Sequence, residues 1–153
     1  NLTAMNKALW LFGTELTILA DAAATNGYYD LAVCAWPAGL ETPLHTHTQY
    51  AAAVYLLEGE LTIHTSGNAR VLHAGEYANT PPDTPYAIAV TSQTTSKGLT
   101  ITSPSGFAQS IEKVGIEGKT AGVRPNAPPN MALFQKASAE VGDVLLGPPG
   151  SRP

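Results

Sequence analysis

Between residues 9 and 103 the chain is a succession of short runs rich in Val, Ile, Thr, Tyr and Leu, cut at close intervals by Gly, Pro, Asn and Ser. β-Branched and aromatic residues suit a pleated, half-buried surface, and such frequent breaks leave no room for long helices. The pattern predicts strands near residues 9–12, 15–19, 28–36, 47–57, 60–65, 69–73, 77–80, 86–91 and 98–103. Their regular spacing predicts an all-β antiparallel sandwich or barrel. Ser66-Gly67-Asn68 lies between two of the runs, where Gly and Asn accept the positive φ of a tight reversal, so a hairpin is expected there. Gly59 and Gly75 mark two more bends, and Pro81-Pro82-Asp83-Thr84-Pro85 excludes ladder pairing.

After Ser103 the period changes. Phe107, Ile111 and Val114 recur at helical spacing and predict a helix over 107–114 that covers one barrel edge. Residues 115–130, rich in Gly and Pro, are expected to cross the surface without regular structure, and Asn130 to cap a second helix over 131–141. The organisation expected is a tail (1–7), one barrel (8–104), and C-terminal helices with a Pro/Gly-rich tail packed on it (105–153).

Length and composition narrow the function. At 153 residues there is one core, and 44% hydrophobic against 13% charged residues argues for a folded chain. A net charge of −4 with scattered Lys and Arg offers no basic stripe for phosphates, so nucleic acid is excluded as a partner. The longest apolar run, 50–57, is far short of the ~20 residues that span a bilayer, and no basic leader precedes an apolar stretch. A soluble, cytoplasmic protein with no membrane partner is expected. Cys34 has no disulfide partner in the chain and reads as a small hydrophobe, while Asn1-Leu2-Thr3 fits a glycosylation sequon of a kind that arises by chance. Exposed barrel edges, with the apolar run Leu9-Trp10-Leu11-Phe12, are expected to be covered by a second copy in a homodimer.

Chemistry concentrates in Pro43-Leu44-His45-Thr46-His47. His-x-His on an extended chain puts both imidazoles on one face about 7 Å apart by strand rise, within reach of one ion. Two histidines are not a site alone, because a transition ion takes about three protein ligands or completes its shell with water. Gln49, two residues on, shares their face if the strand stays regular and is a neutral candidate ligand or substrate contact. His64 and His73 lie away from this segment and read as structural.

The stretch Gly39-Leu40-Glu41-Thr42-Pro43-Leu44-His45-Thr46-His47, followed by Tyr55-Leu56-Leu57-Glu58-Gly59-Glu60-Leu61, resembles the first cupin motif, Gly-x5-His-x-His-x4-Glu-x6-Gly. Gly75-Glu76-Tyr77 and the proline turn ending at Pro85 are similar to the second motif. Thr102-Ser103-Pro104-Ser105-Gly106-Phe107, with a helix ending in Leu145-Leu146-Gly147-Pro148-Pro149, resembles the ends of small bacterial quercetin dioxygenase-like cupins. The resemblance runs over residues 8–150 and implies a double-stranded β-helix, or jelly-roll, barrel. It puts the family's metal-binding Glu at Ala52 and its last His at Tyr86, so two of four ligands are replaced.

That leaves His45 and His47 as candidate metal ligands for one divalent ion (iron, nickel, manganese, zinc or copper), held weakly or not at all. His45, His47 and Tyr86 are the catalytic candidates, and Gln49, Ala52 and Tyr86 the substrate contacts. Tyr86, whose phenol ordinarily titrates near about 10, is expected to donate a hydrogen bond rather than bind metal as phenolate. Ala and Tyr in place of charged ligands make one side of the pocket apolar and suit a small aromatic or apolar molecule. Three functions compete: a metal-dependent, dioxygenase-like enzyme; metal-free isomerase, cyclase or lyase chemistry on a histidine base; and a binding or sensing cupin without catalysis.

Overall fold

The computed structural model describes residues 6–153; the Asn1 sequon and most of the expected 1–7 tail lie outside them. The strands are β1 Ala8–Leu11, β2 Thr14–Ala20, β3 Asp30–Trp36, β4 Pro43–His47, β5 Ala51–Glu58, β6 Glu60–Thr65, β7 Asn68–His73, β8 Tyr77–Thr80, β9 Ala87–Val90, β10 Ser96–Ser103, β11 Ile116–Glu117 and β12 Asp143–Pro149. The helices are α1 Ala22–Thr25, α2 Phe107–Val114 and α3 Met131–Glu140. None of these helices is long and apolar enough to cross a membrane.

One sheet runs β11-β1-β2-β3-β10-β5-β8, a second β7-β6-β9, and β12 pairs with β4. Bridges Glu41–Ala89 and His45–Tyr86 join β4 to the strand β9, so the small sheets make a second wall. The alternation expected of half-buried strands is plain on β3, where Asp30, Ala32, Cys34 and Trp36 are buried and the residues between them are not. Ala32, Cys34 and Trp36 form one core with Leu16, Ile18, Leu56, Leu61 and Leu72, each large apolar side chain contributing about 1.5–3 kcal/mol by leaving water. The expected all-β antiparallel barrel with short C-terminal helices is therefore found. The expected hairpin is also there: Thr65 pairs with Asn68 across Ser66-Gly67, with Gly67 at φ 70°.

Two expectations are corrected. The strand foreseen over 47–57 is two strands in different sheets, because Thr48 turns away and donates both its amide (3.1 Å) and its hydroxyl (2.6 Å) to the Gly142 carbonyl. The segment 145–149 is not the end of a helix. Gly142, at φ 74° and with no room for a Cβ beside Thr48 and Gln49, ends α3, and the chain then satisfies its backbone on β4 as β12. Leu9 and Trp10 of the apolar N-terminal run are buried within the chain itself, while Phe12 is exposed.

The helical segment is tied to the barrel by a charge. α2 starts at Gly106 with no side-chain cap of its own. Asp30 of β3 supplies one: its Oδ2 accepts from the amides of Gly106 (2.8 Å) and Ala108 (3.0 Å) and from Thr102 Oγ1 (3.2 Å). An anion at a helix N-terminus meets the unpaired amides and the positive end of the dipole. Close by, Glu112 of α2 hydrogen-bonds Asp21, the residue that caps α1.

Two carboxyls can share a hydrogen bond only if one keeps a proton. Burial, then the bond to Asp21, then the charges of Asp21 and Asp30 push the Glu112 carboxyl up to about 7 from an ordinary 4.5. The folded chain thus holds a proton that the unfolded chain releases, so this contribution is present below 4.5 and lost as pH rises through 7. The melting temperature of the wild type is expected to fall across that window and that of Glu112→Gln to fall less. Equal slopes in a pH series of thermal melts would contradict the shared proton.

Candidate functional site

The two walls enclose a cavity of about 750 Å³, lined mainly by apolar side chains that include Leu16, Trp36, Val54, Ile63, Ile88 and Ile111. Its polar end is built by β4, the residue before β9, and β12. β4 brings His45 and His47, the bridge to β4 brings Tyr86, and β12 brings Asp143, whose register partner on β4 is His47. Asp83, in the proline turn, donates its amide to the His47 carbonyl at 2.7 Å, which fixes the approach of Tyr86 three residues later.

These side chains form one chain of hydrogen bonds. His47 Nδ1–H donates to Asp143 Oδ1 at 2.6 Å. A carboxylate only accepts, so it fixes Nδ1–H as the donor, and Nε2 pairs with the Tyr86 hydroxyl at 2.8 Å. Tyr50 donates its hydroxyl to the same carboxylate, 2.8 Å from Oδ1 and 3.0 Å from Oδ2, and stacks on the His47 ring with centroids 4.5 Å apart. Burial first and the Asp143 charge second raise the hydroxyls of both Tyr50 and Tyr86, so each stays a donor.

His45 is placed differently. Its Nδ1–H donates to the Pro43 carbonyl at 2.7 Å, which leaves Nε2 as a lone pair with no hydrogen-bond partner among the described residues. Its ring lies 4.4 Å from that of Tyr86 and 4.9 Å from that of His47. Burial lowers its pKa, the nearby His47 adding to the effect while the bond to Pro43 opposes it, so the ring is held neutral with the Nε2 lone pair available.

Of the residues expected from the sequence, His45, His47, Ala52 and Tyr86 line the cavity together. Gln49 does not: β4 ends at His47, the 48–50 turn breaks the alternation, and Gln49 is exposed. Tyr50 takes the inward place instead. His64 and His73 lie off the cavity, His73 on the surface between Glu60 and Glu76. Asp143 and Tyr50 were missed by sequence reasoning, and Gly142 followed by Asp-Val-Leu-Leu was the available signal, a helix stop before a strand-like run.

Residues 32–102 match the family model described as cupin domain. The chain carries a cupin domain. A quercetin 2,3-dioxygenase from Bacillus subtilis (strain 168) is 29% identical over 87 residues, which is 56% of this chain but only 26% of that protein. Among solved structures, an RmlC-like cupin from Shewanella frigidimarina superimposes with TM-score 0.55 at 21% identity, over 65% of this chain and 85% of that one. The polyketide cyclase RemF from Streptomyces resistomycificus does so with TM-score 0.53 at 19% identity, over 67% and 71%. These likenesses show the double-stranded β-helix fold. Asp143 lies outside the matched cupin residues, so the site's carboxylate comes from the C-terminal extension.

The donor set of this cupin does not fit a metal ion. Both nitrogens of His47 are engaged, Ala52 offers a methyl group, and burial keeps the Tyr86 phenol protonated, so His45 Nε2 is the one uncommitted donor of the motif. Among the described residues no three His, Cys, Asp or Glu side chains are grouped to hold an ion. The chemistry of the cavity is therefore read from its own acids and bases.

Asp143→Ala strands the hydroxyl of Tyr50 and Nδ1–H of His47 away from bulk water and is expected to lower stability by about 2–4 kcal/mol. Tyr50→Phe removes one donor and is expected to cost about 1 kcal/mol. Denaturant unfolding of the single and double variants checks the network, whose members must show losses that do not add.

Proposed function

We propose that this cupin binds a small, largely apolar molecule bearing a carbonyl or hydroxyl group and moves a proton on it without a metal ion. The observation that carries the reading is the unpaired Nε2 of His45, on a ring packed against that of Tyr86 at the polar end of an apolar cavity. A neutral imidazole has its lone pair free to accept a proton at pH 7, and a low-dielectric cavity strengthens its contact with substrate. His45 Nε2 would take a proton from carbon next to a carbonyl, and the Tyr86 O–H, turned from His47 to the substrate oxygen, would stabilise the charge that develops. Asp143 and His47 position Tyr86. The reaction class is isomerisation, cyclisation or lyase chemistry, in keeping with the cyclase among the structural relatives. The dioxygenase-like route is less well supported, since no carboxylate stands at Ala52 to act as its base.

2-Tetralone, an apolar bicyclic ketone with acidic C1 protons, tests this. In deuterated water, NMR is expected to show faster exchange at C1 with the wild type, unchanged by EDTA. His45→Ala should lose about 100-fold or more of the acceleration and Tyr86→Phe a smaller share. Acceleration abolished by EDTA would return the site to metal chemistry, and binding without acceleration would make the protein a binding or sensing cupin.

A further inference from the structure

The mouth of the cavity is marked by residues that line it and are also exposed: Phe12, Met131, Leu145 and Leu146. Phe12 is the unusual one. β1 and β2 are joined by the two-residue turn Phe12-Gly13, with Leu11 paired to Thr14 and φ of 50° and 89°. Positive φ at both positions is the type I′ hairpin turn, whose first position favours Asn, Asp or Gly. A bulky Phe at positive φ is rare, because its Cβ crowds the backbone. Turn chemistry therefore gives no reason for Phe here, and solvation gives none either, since the side chain is 37% exposed.

What the ring does is meet Phe134 of α3, edge to face, with centroids 5.0 Å apart and planes at 89°. α3 is itself oddly placed. Met131, Phe134 and Ser138, at helical spacing, line the cavity, while the buried residues of the helix are only Ala137 and Ser138. An amphipathic helix ordinarily covers its apolar stripe with protein. This one turns the stripe toward the space where a ligand would lie.

We propose that Phe12 and Phe134 form an aromatic jaw that selects ligands with a flat aromatic face, the strained turn residue being kept for its ring. The jaw rests on the reading of the cavity as a ligand site and adds specificity to it: the polar end takes the oxygen, and the two rings take the flat body. Perpendicular and offset ring contacts are directional, so the jaw discriminates planar from puckered ligands where apolar burial alone would not.

The test compares 2-naphthol with its saturated counterpart decahydro-2-naphthol by isothermal titration calorimetry on the wild type, Phe12→Asn and Phe134→Leu. Phe12→Asn puts a favoured residue into the turn, so it should fold without difficulty, and Phe134→Leu keeps an apolar helix face. The wild type is expected to prefer 2-naphthol by about three- to tenfold, and each variant to lose that preference while keeping its affinity for the saturated alcohol. If the wild type binds both alcohols alike, or the variants keep the preference, the jaw is wrong and the cavity reading stands. If both alcohols weaken together with a fall in melting temperature, the two rings only fasten α3 to the hairpin and the jaw is again wrong. A wild type that binds neither alcohol overturns the cavity reading and the jaw together.

Discussion

The carboxylate of Asp143 is the point on which the site depends. A charge at the edge of an apolar cavity is costly unless its oxygens are hydrogen-bonded, and here Tyr50 and His47 answer them. Each condition for that arrangement has a structural consequence. Tyr50 can turn inward only because the chain breaks at 48–50, and the break is held by Thr48 on the Gly142 carbonyl. Asp143 can stand opposite His47 only because α3 stops at Gly142 and the chain continues as β12. Once His47 is locked by the carboxylate, its other nitrogen fixes Tyr86, and Tyr86 completes the polar end of the cavity beside His45.

The same geometry explains why two substitutions in a metal motif leave an ordered site. Where the motif carries a glutamate, Ala52 leaves apolar space; where it carries a histidine, Tyr86 supplies a hydroxyl of the right reach for His47 Nε2. A nitrogen that would face an ion is occupied by an internal donor instead. The outer carboxylate that typically orients a metal-bound imidazole is present as Asp143, but here it orients a relay of hydrogen bonds that ends on Tyr86. His45 escapes this closure because its own anchor is a backbone carbonyl on the opposite nitrogen. The division of labour between two residues of one His-x-His pair thus follows from which neighbour each nitrogen meets.

Much of this was legible in the sequence, and the exceptions share a cause. The strands, the hairpin at Ser66-Gly67, the bends at Gly59 and Gly75, and the clustering of His45, His47, Ala52 and Tyr86 all follow from local pattern and motif spacing. Gln49 failed because a period of two holds only while the strand stays regular, and the interaction that ends it joins Thr48 to Gly142, 94 residues away in the chain. Asp143 was hidden for the same reason, its partners on β4 being remote in sequence. β12 was read as helix because Leu145-Leu146-Gly147-Pro148-Pro149 has no decisive period, and the open edge of β4 decided the matter. Phe12 looked like one more apolar residue in a run, since only the register of β1 on β2 reveals that it sits inside a turn.

The two ends of the cavity obey different physics. At the polar end nearly every donor and acceptor is engaged, so a bound oxygen would meet an ordered array in which only the Tyr86 hydroxyl has to turn. At the mouth, α3 is held by the Phe12–Phe134 ring contact, partial burial and the exposed Lys113–Glu140 ion pair, interactions that tolerate displacement better than a buried 2.6 Å hydrogen bond does. Stiffness where the bond is to be made and compliance where the ligand enters is a workable order for a closed barrel, because the rigid end sets orientation while the soft end admits the body. Reversing it would be worse: a rigid mouth would bar entry, and a compliant polar end would let His45 and Tyr86 drift from the distance on which proton transfer depends.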